Sequence, residues 1–316
     1  MGLLHIKNTC ITFVCINHPE SMCTVTVFTP TYNRAHMLPK LFESLNGQTS
    51  HDFEWLVVDD GSTDNTGPLL EEYLRAETPF AIRTITVANG GKHRAINKGV
   101  AMARGELFFI VDADDYLDAD AIATIVHHHT LLRGRHMYGG IIANRRSPRG
   151  DEPNCGDGEF ADTTWIARNQ AGPVGEKAEA YLTEVLRRYP FPEFDGETFI
   201  PEGVVWDRIA ADGYWARWIN RPIYNFDYYP DGLTARRIAL YRENPRGFLT
   251  FASQEMRLHG RGRLQCLSQC GLFIKYTRGA LPRQEIRRLL NISALTCVIA
   301  PAFHSLKKLI GYHHRR

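Results

Sequence analysis

ELFFIVDADD, residues 106–115, is a run of five consecutive apolar residues that leads into three aspartates. An uninterrupted apolar run of this length predicts a strand that is buried on both faces of a sheet, as parallel strands are. In open α/β sheets, ligands bind beyond the carboxyl ends of the strands. The stretch therefore predicts an α/β domain with a polar site where this strand ends.

Strand and helix patterns alternate on the amino-terminal side of this stretch. Three more strands are predicted at residues 25–28, 53–58 and 82–87, and three helices at 36–47, 66–75 and 92–103. Such alternation indicates a Rossmann-like, mostly parallel sheet flanked by helices. Beyond residue 145 a loop is predicted at 145–158, followed by helices at 175–189, at 204–211 and through 236–316.

Polar clusters come directly after three of the four predicted strands. They are Pro30-Thr31-Tyr32-Asn33, Asp59-Asp60-Gly61-Ser62 and Asp112-Ala113-Asp114-Asp115. Since parallel strands end at one edge of their sheet, these clusters are expected to converge there.

The residue types at this edge suit an anionic ligand that carries a nucleobase and binds together with a metal ion. Asp112 and Asp114 can hold a hard cation such as Mg²⁺ or Mn²⁺. Tyr32 can stack on a base, and Lys92 opens a helix where a cation is unfavourable unless an anion is bound. Each cluster taken alone also fits an ordinary turn or a solvated loop.

Four blocks, in order and at matching spacing, resemble the family 2 glycosyltransferases. They are residues 30–34, 57–64, Gly91-Lys92 with 97–99, and 112–115, within a matching region of about 95 residues from Thr24 to Leu117. A looser likeness continues to Thr234. The resemblance implies the GT-A fold, followed here by a C-terminal helical extension.

This resemblance also implies a function and its residues. A sugar would pass from a nucleotide-diphosphate sugar, UDP-linked in our interpretation, to a hydroxyl acceptor with inversion. Mn²⁺ or Mg²⁺ would be held by Asp112 and Asp114. The nucleotide sugar would be bound by Pro30, Thr31, Tyr32, Asn33, Asp60, Lys92 and Asp112.

The general base is expected in the second half of the catalytic domain, as in relatives. Glu202, between Pro201 and Gly203 at a predicted helix start, is the first choice, with Glu197 and Asp195 in reserve. Residues 228–234 resemble the loop that closes such domains. Two alternatives stay open, a sugar-phosphate nucleotidyltransferase and a non-catalytic nucleotide-binding module.

Charge is distributed unevenly along the 316 residues. Residues 257–316 hold 12 Lys or Arg and one acidic residue, whereas the whole chain has a net charge of only +2. We expect three regions: an extension at 1–21, before Met22 and a predicted strand, that is disordered or not native; a catalytic domain at 22–235, which the family resemblance implies; and a basic helical region at 236–316.

The basic region is suited to bind an anionic membrane surface. Alternatively, its helices pack on the catalytic domain or form a homo-oligomer. A glycan or lipid-linked glycan is the expected acceptor, and no nucleic acid is expected. The seven cysteines show no C-x-x-C pair, so the expected location is cytoplasmic. The basic region adds the expectation of a peripheral position on the inner face of the membrane.

Overall fold

The computed structural model describes residues 12–15, 23–146, 158–168, 177–227, 237–259, 262–277 and 279–309. The strands are Thr12–Cys15 (β1), Val25–Thr31 (β2), Phe53–Asp59 (β3), Ala81–Thr86 (β4), Leu107–Ile110 (β5), Tyr116–Leu117 (β6), Tyr138–Arg146 (β7), Phe160–Thr163 (β8), Lys177–Leu182 (β9) and Trp215–Asn225 (β10). The helices are Leu38–Asn46 (α1), Thr66–Arg75 (α2), Lys92–Met102 (α3), Ala121–Leu132 (α4), Thr183–Arg188 (α5), Gly203–Ala211 (α6), Arg237–Glu243 (α7), Pro245–Leu258 (α8), Arg263–Tyr276 (α9), Arg283–Leu290 (α10) and Ala294–Leu309 (α11).

The strands of the described residues form one mixed sheet in the order β1-β4-β3-β2-β5-β9-β7-β10-β6, with β8 beside β10. The four strands predicted from the sequence, β4-β3-β2-β5, are mutually parallel, as the alternating pattern indicated. Beyond β5 the directions change, because β9 runs antiparallel to both β5 and β7, whereas β7 and β10 are parallel. The α/β prediction is confirmed.

The centre of the sheet is buried on both faces, as the apolar run at 107–111 predicted. Phe108 and Phe109, whose side chains leave the strand on opposite faces, are both fully buried, and Phe108 stacks on Phe28 of β2 with ring centroids 4.7 Å apart. Burial of each such ring contributes roughly 1.5–3 kcal/mol. This packing fixes the register of β2 and β5, and hence where each strand ends.

The helix predicted over 175–189 is wrong in its first half. Lys177–Leu182 is strand β9, and only Thr183–Arg188 is helical. Alanine, glutamate and leucine favour a helix in isolation. Here Ala178 and Ala180 are buried between neighbouring strands, and the ladders to β5 and β7 override the local propensity.

The chain forms two compact units. The first unit contains the described residues up to Pro190 together with Arg208–Tyr228, and therefore the whole sheet. The second contains Phe191–Asp207 and the described residues after 236, so the helices predicted there are present. Their core is formed by Phe248, Leu249, Ile286 and neighbouring residues.

Within the described ranges, none of the single helices is long and apolar enough to cross a membrane. One pair passes that test jointly, α10 with Ala294–Leu306 of α11, and the two are bent by 89°.

Three expectations fall partly or wholly on residues outside those described. Of residues 1–21, Thr12–Cys15 forms β1, antiparallel to β4. Most of the predicted 145–158 loop and the 228–234 closing loop lie outside the described ranges.

Candidate active site

The three predicted polar clusters lie at one edge of the sheet, where β2, β3 and β5 end. Neighbouring strand ends are joined directly, since the Asp60 amide donates to the Thr31 carbonyl at 2.8 Å and the Val111 amide donates to the Phe28 carbonyl at 2.8 Å. The parallel register of these strands therefore brings the three clusters to a common edge. Whether these residues bind a ligand stays a prediction.

Asn33 ties the first cluster to the second. It adopts a left-handed backbone conformation with φ of 52°, and its side-chain oxygen accepts hydrogen bonds from the amides of Thr63 at 2.8 Å and Asp64 at 3.3 Å. In return, the Ser62 hydroxyl accepts a hydrogen bond from the Asn33 amide at 2.8 Å. These bonds make the loops after β2 and β3 one rigid element.

Thr31 and Tyr32 differ in their exposure beside that element. The ring of Tyr32 is 46% exposed, as a side chain that stacks on a ligand must be. The hydroxyl of Thr31 is buried and has no hydrogen-bond partner in the described part of the chain. An unsatisfied buried polar group costs about 1–3 kcal/mol.

Asp60 holds the loop that precedes α3. Its two carboxylate oxygens accept hydrogen bonds from the amides of Gly90 at 2.8 Å and Gly91 at 2.7 Å. Burial raises the pKa of Asp60, and these hydrogen bonds oppose that shift. One clear effect of this carboxylate is thus to position the turn from which Lys92 projects.

Lys92, the first residue of α3, forms an ion pair with Asp112 of the third cluster. The Lys92 ammonium lies 2.6 Å from Oδ1 of Asp112. Burial alone would raise the pKa of Asp112, but the charges of Lys92 and Arg145 outweigh it and lower the pKa below its usual value. Asp112 is therefore ionised at neutral pH, and a cation already lies beside it.

Asp114 experiences the opposite electrostatic balance. Burial and the negative charge of Asp112 raise the pKa of Asp114, while Arg34 and Lys92 oppose the shift more weakly. Two carboxylates that repel each other at a strand end are a suitable pair of hard oxygen ligands for Mg²⁺ or Mn²⁺, because a divalent cation relieves the repulsion. The donor set thus fits the metal that the sequence predicted.

Asp115 has a different environment from the other two aspartates. It is buried, and its Oδ2 contacts the guanidinium of Arg145 and accepts a hydrogen bond from the Tyr224 hydroxyl at 2.6 Å. Asp115 therefore supports the loop through contacts within the protein.

Sequence reasoning missed Arg145 and Tyr224. Both come from strands late in the chain, β7 and β10, and the guanidinium carbon of Arg145 lies 4.1 Å from the centroid of the Tyr224 ring. Tyr224 also accepts a hydrogen bond from the Asp112 amide at 2.9 Å. An aromatic residue near the end of a strand was the only local signal, and it is too common to be informative.

Glu202 and its two reserves lie in the second unit. The carbonyl of Glu202 accepts hydrogen bonds from the amides of Val205 at 2.9 Å and Trp206 at 3.3 Å, so Glu202 is at the amino terminus of α6, as predicted. Asp195 is exposed.

Glu197, the other reserve, is buried and already engaged. Its oxygens accept hydrogen bonds from the amides of Arg246 at 2.8 Å and Gly247 at 2.9 Å, at the start of α8. Glu197 thus has a structural task, the anchoring of that helix terminus.

Residues 26–173 match the model described as glycosyl transferase family 2. The chain contains a family 2 glycosyltransferase domain. A curated relative, the undecaprenyl-phosphate 4-deoxy-4-formamido-L-arabinose transferase of Proteus mirabilis, is 38% identical over 130 residues, which is 40% of this chain and 39% of that enzyme. Across eight curated relatives the aligned stretch spans 14% to 39% of their length.

Comparison with solved structures shows that the chain has the GT-A fold. TarS residues 1–349 of S. aureus, solved in complex with UDP, is 18% identical with a TM-score of 0.56, over 92% of this chain and 93% of that one. The mannosyltransferase PcManGT of Pyrobaculum calidifontis, solved with GDP-Man and Mn²⁺, is 20% identical with a TM-score of 0.53, over 92% and 88%. The fold expected from the resemblance is confirmed.

Proposed function

We propose that this protein transfers a sugar from a nucleotide-diphosphate sugar, UDP-linked, to a hydroxyl acceptor with inversion at the anomeric carbon. The observation that carries the proposal is the meeting of Asp112, Asp114 and Lys92 with the loops of Thr31 and Asp60 at one sheet edge. Family membership favours this activity over that of a nucleotidyltransferase. The nucleotide complexes of TarS and PcManGT give further support.

The nucleoside would bind against the loops after β2 and β3. Tyr32 offers an exposed ring for the base, and Thr31 has a hydroxyl without a partner among the described residues. Pro30, Asn33 and Asp60 shape this binding surface, because Asn33 joins the two loops and Asp60 holds the turn at Gly90 and Gly91.

The diphosphate would bind where α3 begins. The first turn of a helix presents unpaired amides and a partial positive charge, and Lys92 adds a full one. Asp112 and Asp114 would hold Mn²⁺ or Mg²⁺ there, which when bound neutralises charge on the leaving nucleoside diphosphate. Lys92, which lies beside Asp112, would pair with a phosphate oxygen of the donor.

Transfer itself needs a base on the side of the sugar away from the diphosphate. Glu202 would take the proton of the acceptor hydroxyl. The hydroxyl oxygen would bond to the anomeric carbon as the bond between that carbon and the diphosphate oxygen breaks. An ionised carboxylate at a helix amino terminus is stabilised by the helix dipole.

A lipid-linked glycan at an anionic membrane is the acceptor we favour, and the protein would be cytoplasmic and peripheral there. The face of α11 exposes Leu295, Val298, Ile299 and Leu306. A groove of about 610 Å³ beside it is lined by Arg283, Arg287 and Arg288 of α10. Apolar side chains flanked by arginines suit the interface of an anionic bilayer. The name of the Proteus relative contains undecaprenyl phosphate, a membrane lipid, which supports an acceptor at a membrane.

Turnover of a panel of nucleotide sugars tests the proposal. The full chain is incubated with each donor, with and without Mn²⁺, and release of nucleoside diphosphate is measured in the presence of lipid-linked and soluble glycan acceptors. We expect release from one UDP-sugar only with Mn²⁺ and an acceptor. Release of pyrophosphate from a nucleoside triphosphate and a sugar phosphate would instead identify a nucleotidyltransferase.

A further inference from the structure

Three ligand-type side chains of the second unit form a cluster that the proposed transfer does not use. Asp207 lies in α6, Glu255 in α8, and His259 directly follows α8. Nε2 of His259 lies 2.9 Å from Oδ1 of Asp207 and 3.2 Å from Oε1 of Glu255. One ligand atom from each residue lies within 4.8 Å of the other two.

Helix packing within this unit brings the three side chains together. The Gln254 side-chain amide donates to the Val204 carbonyl at 3.1 Å, which joins α8 to the first turn of α6. Glu255 and His259 are four residues apart, so they face the same side of the helix. The cluster is therefore held by rigid elements rather than by loops.

The cluster has more negative charge than one imidazole can satisfy. The side chains of Asp207, His259 and Glu255 are 1%, 6% and 17% exposed. Nε2 of His259 carries at most one proton, which cannot serve both carboxylates well. Oδ2 of Asp207 is buried, and no residue that the structure describes forms a hydrogen bond with it. A buried carboxylate is costly unless it is paired or coordinates a metal.

We propose that Asp207, Glu255 and His259 bind a zinc-type divalent ion that joins α6 to α8. The separations of 2.9 and 3.2 Å are close to the roughly 3.3 Å between ligand atoms that each lie about 2.0–2.1 Å from a tetrahedral zinc. Three protein ligands leave a fourth position for water.

The proposed ion differs in kind from the one assigned to Asp112 and Asp114. An imidazole nitrogen among the ligands selects zinc and its neighbours, whereas carboxylates alone suit Mg²⁺ and Mn²⁺. The proposal concerns the second unit only and does not depend on the transfer activity. Zinc would stabilise the protein by binding the folded state and not the unfolded one.

Zinc binding to the full chain, prepared without an added histidine tag, tests this site. Asp112→Asn and Asp114→Asn are introduced together so that the other carboxylate pair cannot contribute. After treatment with a chelator, zinc is returned and measured by elemental analysis, and the melting temperature is recorded with Zn²⁺ or Mg²⁺. We expect one zinc per chain and a rise of several degrees with Zn²⁺ but not with Mg²⁺.

Variants of the ligands then locate the ion. His259→Gln and Glu255→Gln should each weaken zinc binding by more than the 10- to 100-fold that loss of an outer-shell partner costs. His304→Gln is the matched control, because it removes another histidine of this unit, one that lies 3.2 Å from the Ser268 hydroxyl, and should leave zinc binding unchanged.

Binding of Co²⁺ reports on the metal site by absorption, so it can be measured even in a ligand variant that is less stable than the wild type. Co²⁺ bound in place of zinc should show the strong visible absorption of a four-coordinate ion, and Glu255→Gln, the most exposed of the three positions, should lose it. If no zinc binds, or if the His259 and Glu255 variants bind it as well as the His304 control, the three side chains form a hydrogen-bonded cluster only and the proposal is overturned.

Discussion

The hydroxyl of Tyr224 donates a hydrogen bond to Oδ2 of Asp115 at 2.6 Å. The hydroxyl oxygen also accepts a hydrogen bond from the amide of Asp112 at 2.9 Å, so one phenol from β10 braces both ends of the Asp112–Asp115 loop. Arg145 completes the brace through its contacts with Asp115 and the Tyr224 ring. The Asp112–Asp115 loop, which we propose binds the metal, is thus supported by β7 and β10, two strands that lie later in the sequence.

Tyr224→Phe should loosen this loop. The change removes both hydrogen bonds of the hydroxyl and leaves a buried carboxylate less satisfied, at a cost of about 1–3 kcal/mol in the free energy of unfolding. We expect the Mn²⁺ concentration needed for half-maximal transfer to rise, measured by titration at saturating donor.

Tyr138→Phe is the matched control for that experiment. Tyr138 is another buried tyrosine of the sheet, and its hydroxyl lies 3.2 Å from Nδ1 of His129, away from the aspartates. Its loss should lower stability without changing the Mn²⁺ requirement. An equal shift in both variants would show that Tyr224 acts on overall stability alone.

Asp114→Ala should abolish transfer and metal-dependent binding of the donor while the fold is kept. The reason is that Asp114 would supply one of the two carboxylates to the metal. Burial and the negative charge of Asp112 raise the pKa of Asp114, and a bound cation would offset both effects. Donor affinity is measured by calorimetry with and without Mn²⁺, and folding by circular dichroism. Glu72→Gln, an exposed acid on α2, is the control. Retained turnover would refute the assignment.

Glu202→Gln should lower the transfer rate by about 10²- to 10⁴-fold with donor affinity unchanged, since a general base acts on the acceptor and not on the nucleotide. Single-turnover rates and donor affinity are compared with those of Asp195→Asn, an exposed reserve expected to be normal. If Asp195→Asn loses activity and Glu202→Gln does not, the general base is Asp195 rather than Glu202. The proposed reaction class would be unchanged.

Gly61→Ala should weaken binding of UDP. Gly61 has φ of +78°, and a Cβ there would lie 2.9 Å from the backbone nitrogen of Asn89, so the loops after β3 and β4 would have to separate. Left-handed backbone alone costs an alanine roughly 1–2 kcal/mol.

Gly134→Ala isolates that backbone cost. Gly134 has φ of +79°, and a Cβ there would meet no atom within 4 Å. Thermal unfolding and UDP affinity are measured for both variants, and only Gly61→Ala should lose affinity. Equal UDP affinity in the two would mean that the loop contact does not shape the nucleoside site.

Vesicle binding tests the surface of α10 and α11. Full-length protein should sediment with anionic vesicles at low salt and be released as salt rises, because each basic residue near such a surface contributes roughly 1 kcal/mol. Arg283, Arg287 and Arg288 changed together to Gln should reduce binding, whereas Arg75→Gln, an exposed arginine of α2, should not. If the wild type stays in the supernatant while light scattering reports a dimer, the apolar face of α11 is a subunit contact instead.

The sequence alone determined the parallel half of the sheet and the edge at which its polar clusters meet. The reason is that the signals are local: apolar runs such as 107–111 specify buried strands, and the register of parallel strands places the loops at their carboxyl ends side by side. The start of α6 after Glu202 was also predictable, because Pro201 and Gly203 mark a helix boundary.

Tertiary structure decided the rest. Lys177–Leu182 has helical propensity but forms β9, since ladders to two distant strands outweigh a local preference. Tyr224 reaches Asp112 and Asp115 from more than 100 residues away, and Asp207 meets Glu255 and His259 only because α6 packs on α8. Contacts between such distant segments depend on packing and leave no periodic trace in the sequence around either partner.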